Sequence, residues 1–329
     1  TGAESGIVTS GAAAALTLAA AACIARLDVN KMNRLPDTAG MPCEIVVHRS
    51  HRNDYDHALR AAGARFVEVG FSYFTHPYEL ENAIGPETVA AFYQAGGDGT
   101  VMPLAEFAAI AHRRGIPVIV DAAAEMPPAS NLRAFTEAGG DLVAISGGKH
   151  IRGPQASGIL AGRAELILSA ALQHQDMDVF PSTWPLRERL AAAPHHGIGR
   201  GCKVGKEEIA GLIAALELYK TRDFAAELGT WQQRMTTIVE AVTGAPGITA
   251  FVQYPQPSGK AVPHAIVRVD AAAAGRTAVD IVNLMAAGEP RIYVFEHGAD
   301  QGVVRFMPEA LADGEAEIIA ARLKEILSA

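Results

Sequence analysis

The stretch IPVIVDAAAEMPPASNLRAFTEAGGDLVAISGGKHIRGPQASGILAG, residues 116–162, decides the fold. It carries an apolar strand pattern at 116–120, a short helical pattern at 132–138 and a second strand pattern at 141–146. Strand, helix and strand in direct succession read as a parallel βαβ unit. The run GILA at 158–161 follows a short loop and predicts an added antiparallel strand. Upstream the same alternation continues. Strands are expected at 7–9, 44–48, 65–69 and 88–93, with helices from Gly11, at 54–62 and at 104–114. Short apolar strands between helices imply an α/β fold, a mostly parallel sheet covered on both faces.

From Lys206 the pattern changes. Helices are expected at 207–219, 224–242, 278–285 and 314–327, and strands at 264–269, 291–294 and 303–307. This predicts a large α/β domain over 1–205. Linking helices and a smaller α+β domain follow over 206–329. Residues 171–205 are rich in Pro, His and Gly and read as a functional loop region. There is no internal repeat.

A chain of 329 residues fits two domains or one large α/β unit. With 49% hydrophobic and 19% charged residues, disorder is excluded as the main state. The net charge of −8 disfavours a broad nucleic-acid surface. Three scattered cysteines, Cys23, Cys43 and Cys202, predict reduced thiols and a cytoplasmic protein. The alanine-rich run at 8–27 contains Arg26 and opens on Thr9-Ser10-Gly11, so it reads as a buried helix and not a membrane span. The opening Thr1-Gly2-Ala3-Glu4 runs almost at once into a core element, and a further N-terminal segment is expected before it.

The chemistry centres on Asp121 and Lys149. Each follows an apolar strand at its carboxyl end, where open α/β sheets bind ligands. A capping Asp and a surface Lys would each be ordinary alone. Together they suit pyridoxal 5'-phosphate, with Lys149 forming the Schiff base and Asp121 holding the pyridine nitrogen protonated. A phosphate needs a cradle, and Ser10, Gly11 and Ala12 at the start of the alanine-rich helix offer one. Ser146 can add a hydroxyl. A nicotinamide-binding protein would need a G-x-G-x-x-G turn after the first strand, and TSGAAAA lacks it.

The motifs VIVDAAAEMPP, DLVAISGGKHIRGPQASGILAG and GIGRGCKVGKEEIAGLIAALE resemble the selenocysteine synthase-related family of fold-type I pyridoxal phosphate enzymes. The nearest branch is the D-glucosaminate-6-phosphate ammonia-lyase group. The resemblance implies Lys149 as the cofactor lysine, Asp121 at the pyridine nitrogen, and Ser10, Gly11 and Ala12 at the phosphate. It implies a homodimer or larger assembly with shared active sites, and an N-terminal segment lining the substrate site. In this fold the place of His51 stacks on the pyridine ring, with His48 as competitor. Arg49 and Arg52 beside it are candidates for an anionic substrate, as is Arg152 next to the lysine, with His150 close by. Arg200, and less directly Lys203, sit in the glycine-rich segment HHGIGRGCKVGKEE, which suits an anion. His195 and His196 there lack a carboxylate at metal-ligand spacing. Arg305 in VVRFM is a candidate clamp for a substrate carboxylate.

The expected reaction is α-proton abstraction by Lys149 and β-elimination from a hydroxylated amino acid or amino sugar acid. The products are a 2-keto acid and ammonia. A racemase or an aldolase of the same fold is the alternative. A non-catalytic binding protein is a second, against which the intact set of Asp121, Ser146 and Lys149 argues. The −8 charge disfavours a selenium-transferase role on tRNA.

Overall fold

The computed structural model describes residues 1–96, 101–175, 180, 182–257 and 259–328. The chain divides into two compact units, Thr1–Thr221 and Arg222–Ala329. The first contains β1 (Ser5–Thr9), α1 (Ala12–Ala25), α2 (Val29–Arg34), β2 (Glu44–His48), α3 (Asp56–Arg60), β3 (Arg65–Val69), α4 (Pro77–Ala83) and β4 (Thr88–Gln94). It continues with α5 (Leu104–Arg113), β5 (Val118–Asp121), α6 (Asn131–Glu137), β6 (Leu142–Ser146), β7 (Gly158–Gly162), α7 (Ala164–His174) and α8 (Lys206–Thr221). The helix beginning at Lys206, read as the start of the C-terminal part, packs within this first unit.

The seven strands form one sheet in the order β1-β7-β6-β5-β4-β2-β3. The pairs β2–β3, β2–β4, β4–β5 and β5–β6 are parallel, and β7 runs antiparallel to both β1 and β6. The central strands are buried along nearly their whole length, as a sheet with both faces covered requires. The expected antiparallel return at 158–161 is β7.

Helix α1 is the centre of the first core. From Leu18 to Ala25 every residue is buried. Alanine has the highest helix propensity and no bulk, so neighbouring backbones can approach on every side. α1 packs against α7 and α3 and lies over β7 and β6. Among the described residues no helix is long and apolar enough to cross a membrane.

The second unit contains α9 (Phe224–Val242), β8 (Ile248–Gln253), β9 (His264–Val269), α10 (Ala271–Ala274), α11 (Ala278–Ala287), β10 (Val303–Phe306) and α12 (Glu315–Ser328). Its strands form an antiparallel sheet, β10-β9-β8. One face of that sheet packs Ala265, Val267, Val304 and Phe306 against Met235, Ile281 and Leu323 of the helices. Two expectations change here. The run at 291–294 is not a strand. Only Phe295 bridges to Arg305, because Pro290 removes a donor at its start and the run is short. The third strand is instead β8, a mostly half-buried run without clear alternation that the sequence pattern does not mark. The loop region expected from residue 171 begins inside α7.

Ala20→Leu is expected to overpack α1. Overpacking typically costs about 1–3 kcal/mol, so the midpoint of thermal unfolding should fall by several degrees without change in the folded circular dichroism spectrum.

Candidate active site

The site is built by a row of residues at the carboxyl ends of the parallel strands. Thr9 of β1 pairs with Gly158 of β7, which pairs with Ser146 of β6. Asp121 of β5 pairs with Ala144 of β6 on one side and with Gln94 of β4 on the other. His51 lies in a turn just after β2, and its Nδ1 accepts the Gln94 backbone N–H at 3.2 Å. Residues from six parts of the sequence thus reach one end of the sheet.

Asp121 is buried, and its Oδ1 accepts the Ala123 N–H at 2.9 Å. Burial holds its carboxyl above the usual carboxylate range, while that hydrogen bond and the Lys149 charge pull the other way. Lys149 itself is exposed. It sits in a loop between β6 and β7 that is stapled by three backbone bonds. The Gly147 N–H donates to the Ser157 carbonyl, Gly153 to Gly147, and Arg152 to the Lys149 carbonyl, each at 2.9 Å. Gly147 is obligatory there, because a Cβ would lie 2.3 Å from Ser157 Oγ. Arg152 takes a left-handed φ of 60° to complete the turn.

The helix α1 begins at Gly11 with φ 126° and no side-chain cap. The N–H groups of its first turn therefore have no acceptor within the helix. A Cβ at Gly11 would meet nothing within 4 Å, so the space before these donors is open. Gly158 presses on the Gly11 and Ala12 backbone; a Cβ there would lie 2.5 Å from the Gly11 carbonyl carbon. Open donors, a buried carboxylate and a nearby amine on adjacent strands fit pyridoxal phosphate.

Ser10 does not cap the helix. Its hydroxyl donates to the Cys202 carbonyl at 2.8 Å, and His174 Nε2 donates to the same oxygen at 3.1 Å. This ties the short turn Ile198–Cys202, which holds Arg200, to the start of α1. His150 turns away, its ring edge-on to Tyr219 of α8 at 5.9 Å. Arg49 is paired with Glu68 at 3.3 Å, and Arg52 with both Asp56 at 2.5 Å and Glu68. Arg52 also lies over the Phe66 ring. Both guanidiniums are thus committed to carboxylates beyond the row. Arg305 lies in the second unit on β10, and its Nε is buried without a partner. Among the described residues no three His, Cys, Asp or Glu side chains gather as metal ligands.

Three residues of this site were not read from the sequence. Gln94 ends β4 as Asp121 ends β5, a polar residue closing an apolar strand, and that signal was available. Asn53 donates to Gln94 Oε1 at 3.0 Å and to the His51 carbonyl at 3.2 Å. Tyr93 sets its ring edge-on to His51 at 4.7 Å. Nothing in the local pattern marks these last two.

Burial lowers His48 to about 3, helped by the His51 charge, and lowers His51 to about 4. Both rings are neutral at pH 7. Their folded values lie below the ordinary histidine value of about 6.5. Their contribution to stability is therefore complete above that pH and is lost as pH falls toward 4 and below. His51→Asn keeps an acceptor for the Gln94 N–H but cannot titrate. Its unfolding midpoint is expected to fall less than the wild type's between pH 7 and pH 4, measured by thermal melts.

Comparison with known proteins places this geometry. Residues 3–274 match the aminotransferase class-V family. The chain is 34% identical to the D-glucosaminate-6-phosphate ammonia lyase of Salmonella typhimurium, over 99% of this chain and 82% of that protein. A solved structure of D-glucosaminate-6-phosphate ammonia-lyase superposes with a TM-score of 0.80 at 32% identity, covering 100% of this chain and 82% of the other. The 5'-C-glycyluridine monooxygenase-decarboxylase of a Streptomyces species is 32% identical over 99% of this chain and 77% of that protein. The L-seryl-tRNA(Sec) selenium transferase of Solidesulfovibrio magneticus is 29% identical over 54% of this chain and 37% of that protein. Both branches that the motifs resemble are thus among the relatives. The chain belongs to the aminotransferase class-V family of enzymes and has its fold-type I architecture.

Proposed function

We propose that this protein is a pyridoxal phosphate-dependent ammonia lyase acting on a hydroxylated amino acid or amino sugar acid. D-glucosaminate 6-phosphate is the first substrate to test. One observation carries the reading: Asp121, Ser146 and the Lys149 loop lie on neighbouring strands in a chain that resembles such a lyase over 99% of its length. Bound pyridoxal phosphate supplies an electron-accepting ring that acidifies the α C–H of an attached amino acid.

The chain's own residues do the rest. The first-turn N–H groups of α1 hold the phosphate. Asp121 would hold the ring nitrogen of the cofactor, whose positive charge would offset the cost of burying the carboxylate. The neutral ring of His51 would cover a face of the cofactor ring, with Nδ1 taken by the Gln94 N–H and the proton therefore on Nε2. Lys149 would hold the cofactor through its amine, and its Nζ would accept the substrate's α-proton. The β-hydroxyl leaves as water. One water is later consumed as nitrogen departs, so the net products are the 2-keto acid and ammonia. Arg152 and Arg200 are the proposed contacts of the substrate's anionic groups. The ion-paired Arg49 and Arg52 drop out of the reading.

A homodimer or larger assembly in the cytoplasm completes the proposal. The run Gly70–Tyr78 carries no Asp, Glu, Lys or Arg, yet exposes Phe71, Tyr73, Phe74 and Tyr78. An apolar patch of that kind suits a subunit contact. The similarity to the monooxygenase-decarboxylase supports a second reading, oxidative decarboxylation of a glycyl nucleoside.

The test is to load the purified protein with pyridoxal phosphate and offer each substrate class. Ammonia and 2-keto acid in equal amounts without oxygen uptake are expected. Oxygen consumption with carbon dioxide release would replace the first reading by the second. Lys149→Ala should lower turnover by about a thousandfold, and Asp121→Asn by about a hundredfold, on the scale of lost proton-transfer catalysis. In the cofactor-free protein Asp121→Asn should instead raise the unfolding midpoint at pH 7. A carboxyl raised by burial destabilises the fold above its unfolded value, and the difference should shrink toward pH 4.

A further inference from the structure

His48 has no place in the chemistry above, yet it is the most enclosed titratable side chain beside it. It is fully buried at the end of β2. Its Nδ1 shares a hydrogen bond of 2.9 Å with Thr75 Oγ1. Its Nε2 is buried with no partner. The ring stands perpendicular to His51 at 4.8 Å, tilts onto Phe107 at 4.8 Å and meets Tyr93 edge-on at 6.2 Å. A buried ring with one polar contact is oriented by that contact, since packing alone accepts a flipped ring. Thr75 is itself buried and held in place. It lies against Gly70, where a Cβ would come within 2.0 Å of Thr75 Oγ1, and the Phe71 N–H donates to the Phe74 carbonyl at 2.7 Å.

We propose that His48 and Thr75 form a positioning pair for His51. The Thr75 hydroxyl sets the plane of His48, and His48 sets the plane of His51. Among the described residues, the other hydrogen bond and ring contact of the His51 imidazole are the Gln94 N–H and the edge of Tyr93. The bond from Gln94 fixes one atom of the ring, and rotation about that atom is stopped by the two perpendicular rings, His48 and Tyr93. A covering ring is useful only in one plane, so loss of either wall loosens it. The loop 70–76, outside the row of strand ends, thereby acts on the site. This inference rests on the reading of His51 as the ring that covers the cofactor.

The experiment compares wild type, Thr75→Val, Thr75→Ser, His51→Ala and the double variant Thr75→Val/His51→Ala, each loaded with pyridoxal phosphate. Two readouts are taken: visible circular dichroism of the bound cofactor and its dissociation constant. Thr75→Val removes only the hydroxyl and should weaken binding about fivefold, the scale of one net hydrogen bond, and reduce the visible signal. Thr75→Ser should restore both. In the His51→Ala background the Thr75→Val effect on both should vanish, although the thermal midpoint still falls. If Thr75→Val changes the midpoint alone, or acts equally in both backgrounds, the positioning role is overturned while the His51 reading stands. If His51→Ala itself leaves the visible signal and the affinity unchanged, the His51 reading fails and the pair falls with it.

Discussion

The fit of Gly158 against the backbone of Gly11 and Ala12 is the constraint on which the site depends. No side chain can stand between β7 and the start of α1. The antiparallel strand β7 lies between β1 and β6, so its width separates the α1 N-terminus from Ser146 and the Lys149 loop. A bulkier residue at 158 would push the phosphate cradle away from the amine. The return strand therefore measures the distance between two parts of the site while contributing no functional group.

A second constraint is electrostatic. Asp121 is buried enough that its charge is unfavourable in the empty fold, and only Lys149 and one N–H offset that. A site that holds a costly anion is prepared for a cation, because binding one relieves the cost. His51 works in the opposite sense. Burial keeps it neutral, so it offers surface and no charge. The same physical cause, removal from water, makes one residue electrostatically demanding and the other inert.

The sheet was legible because its strands are short apolar runs between amphipathic helices, and β2 and β3 fall at their expected bounds. Asp121 and Lys149 stand out in the sequence because the first closes such a run and the second follows one by three residues. Other elements were hidden for definite reasons. β8 alternates only weakly and lies beside long helices, so its period is diluted. The run at 291–294 has strand composition, but composition does not supply a neighbour with free hydrogen-bonding groups. Arg49 and Arg52 looked available because Glu68 lies on β3, and only the parallel pairing of β2 with β3 brings it to them. Asn53, Tyr93 and the His48–Thr75 pair are long-range contacts with no local signature.

Helix α1 carries one further implication, for how this protein tolerates change in its own sequence. Six of its ten buried residues are alanines, and each of these methyl groups is enclosed. Every replacement of alanine other than glycine adds volume, and glycine adds backbone freedom, so neither direction is neutral. The positions where drift is least permitted thus include many that never meet a substrate. Intolerance of substitution is therefore no mark of catalysis here, because close packing alone imposes it.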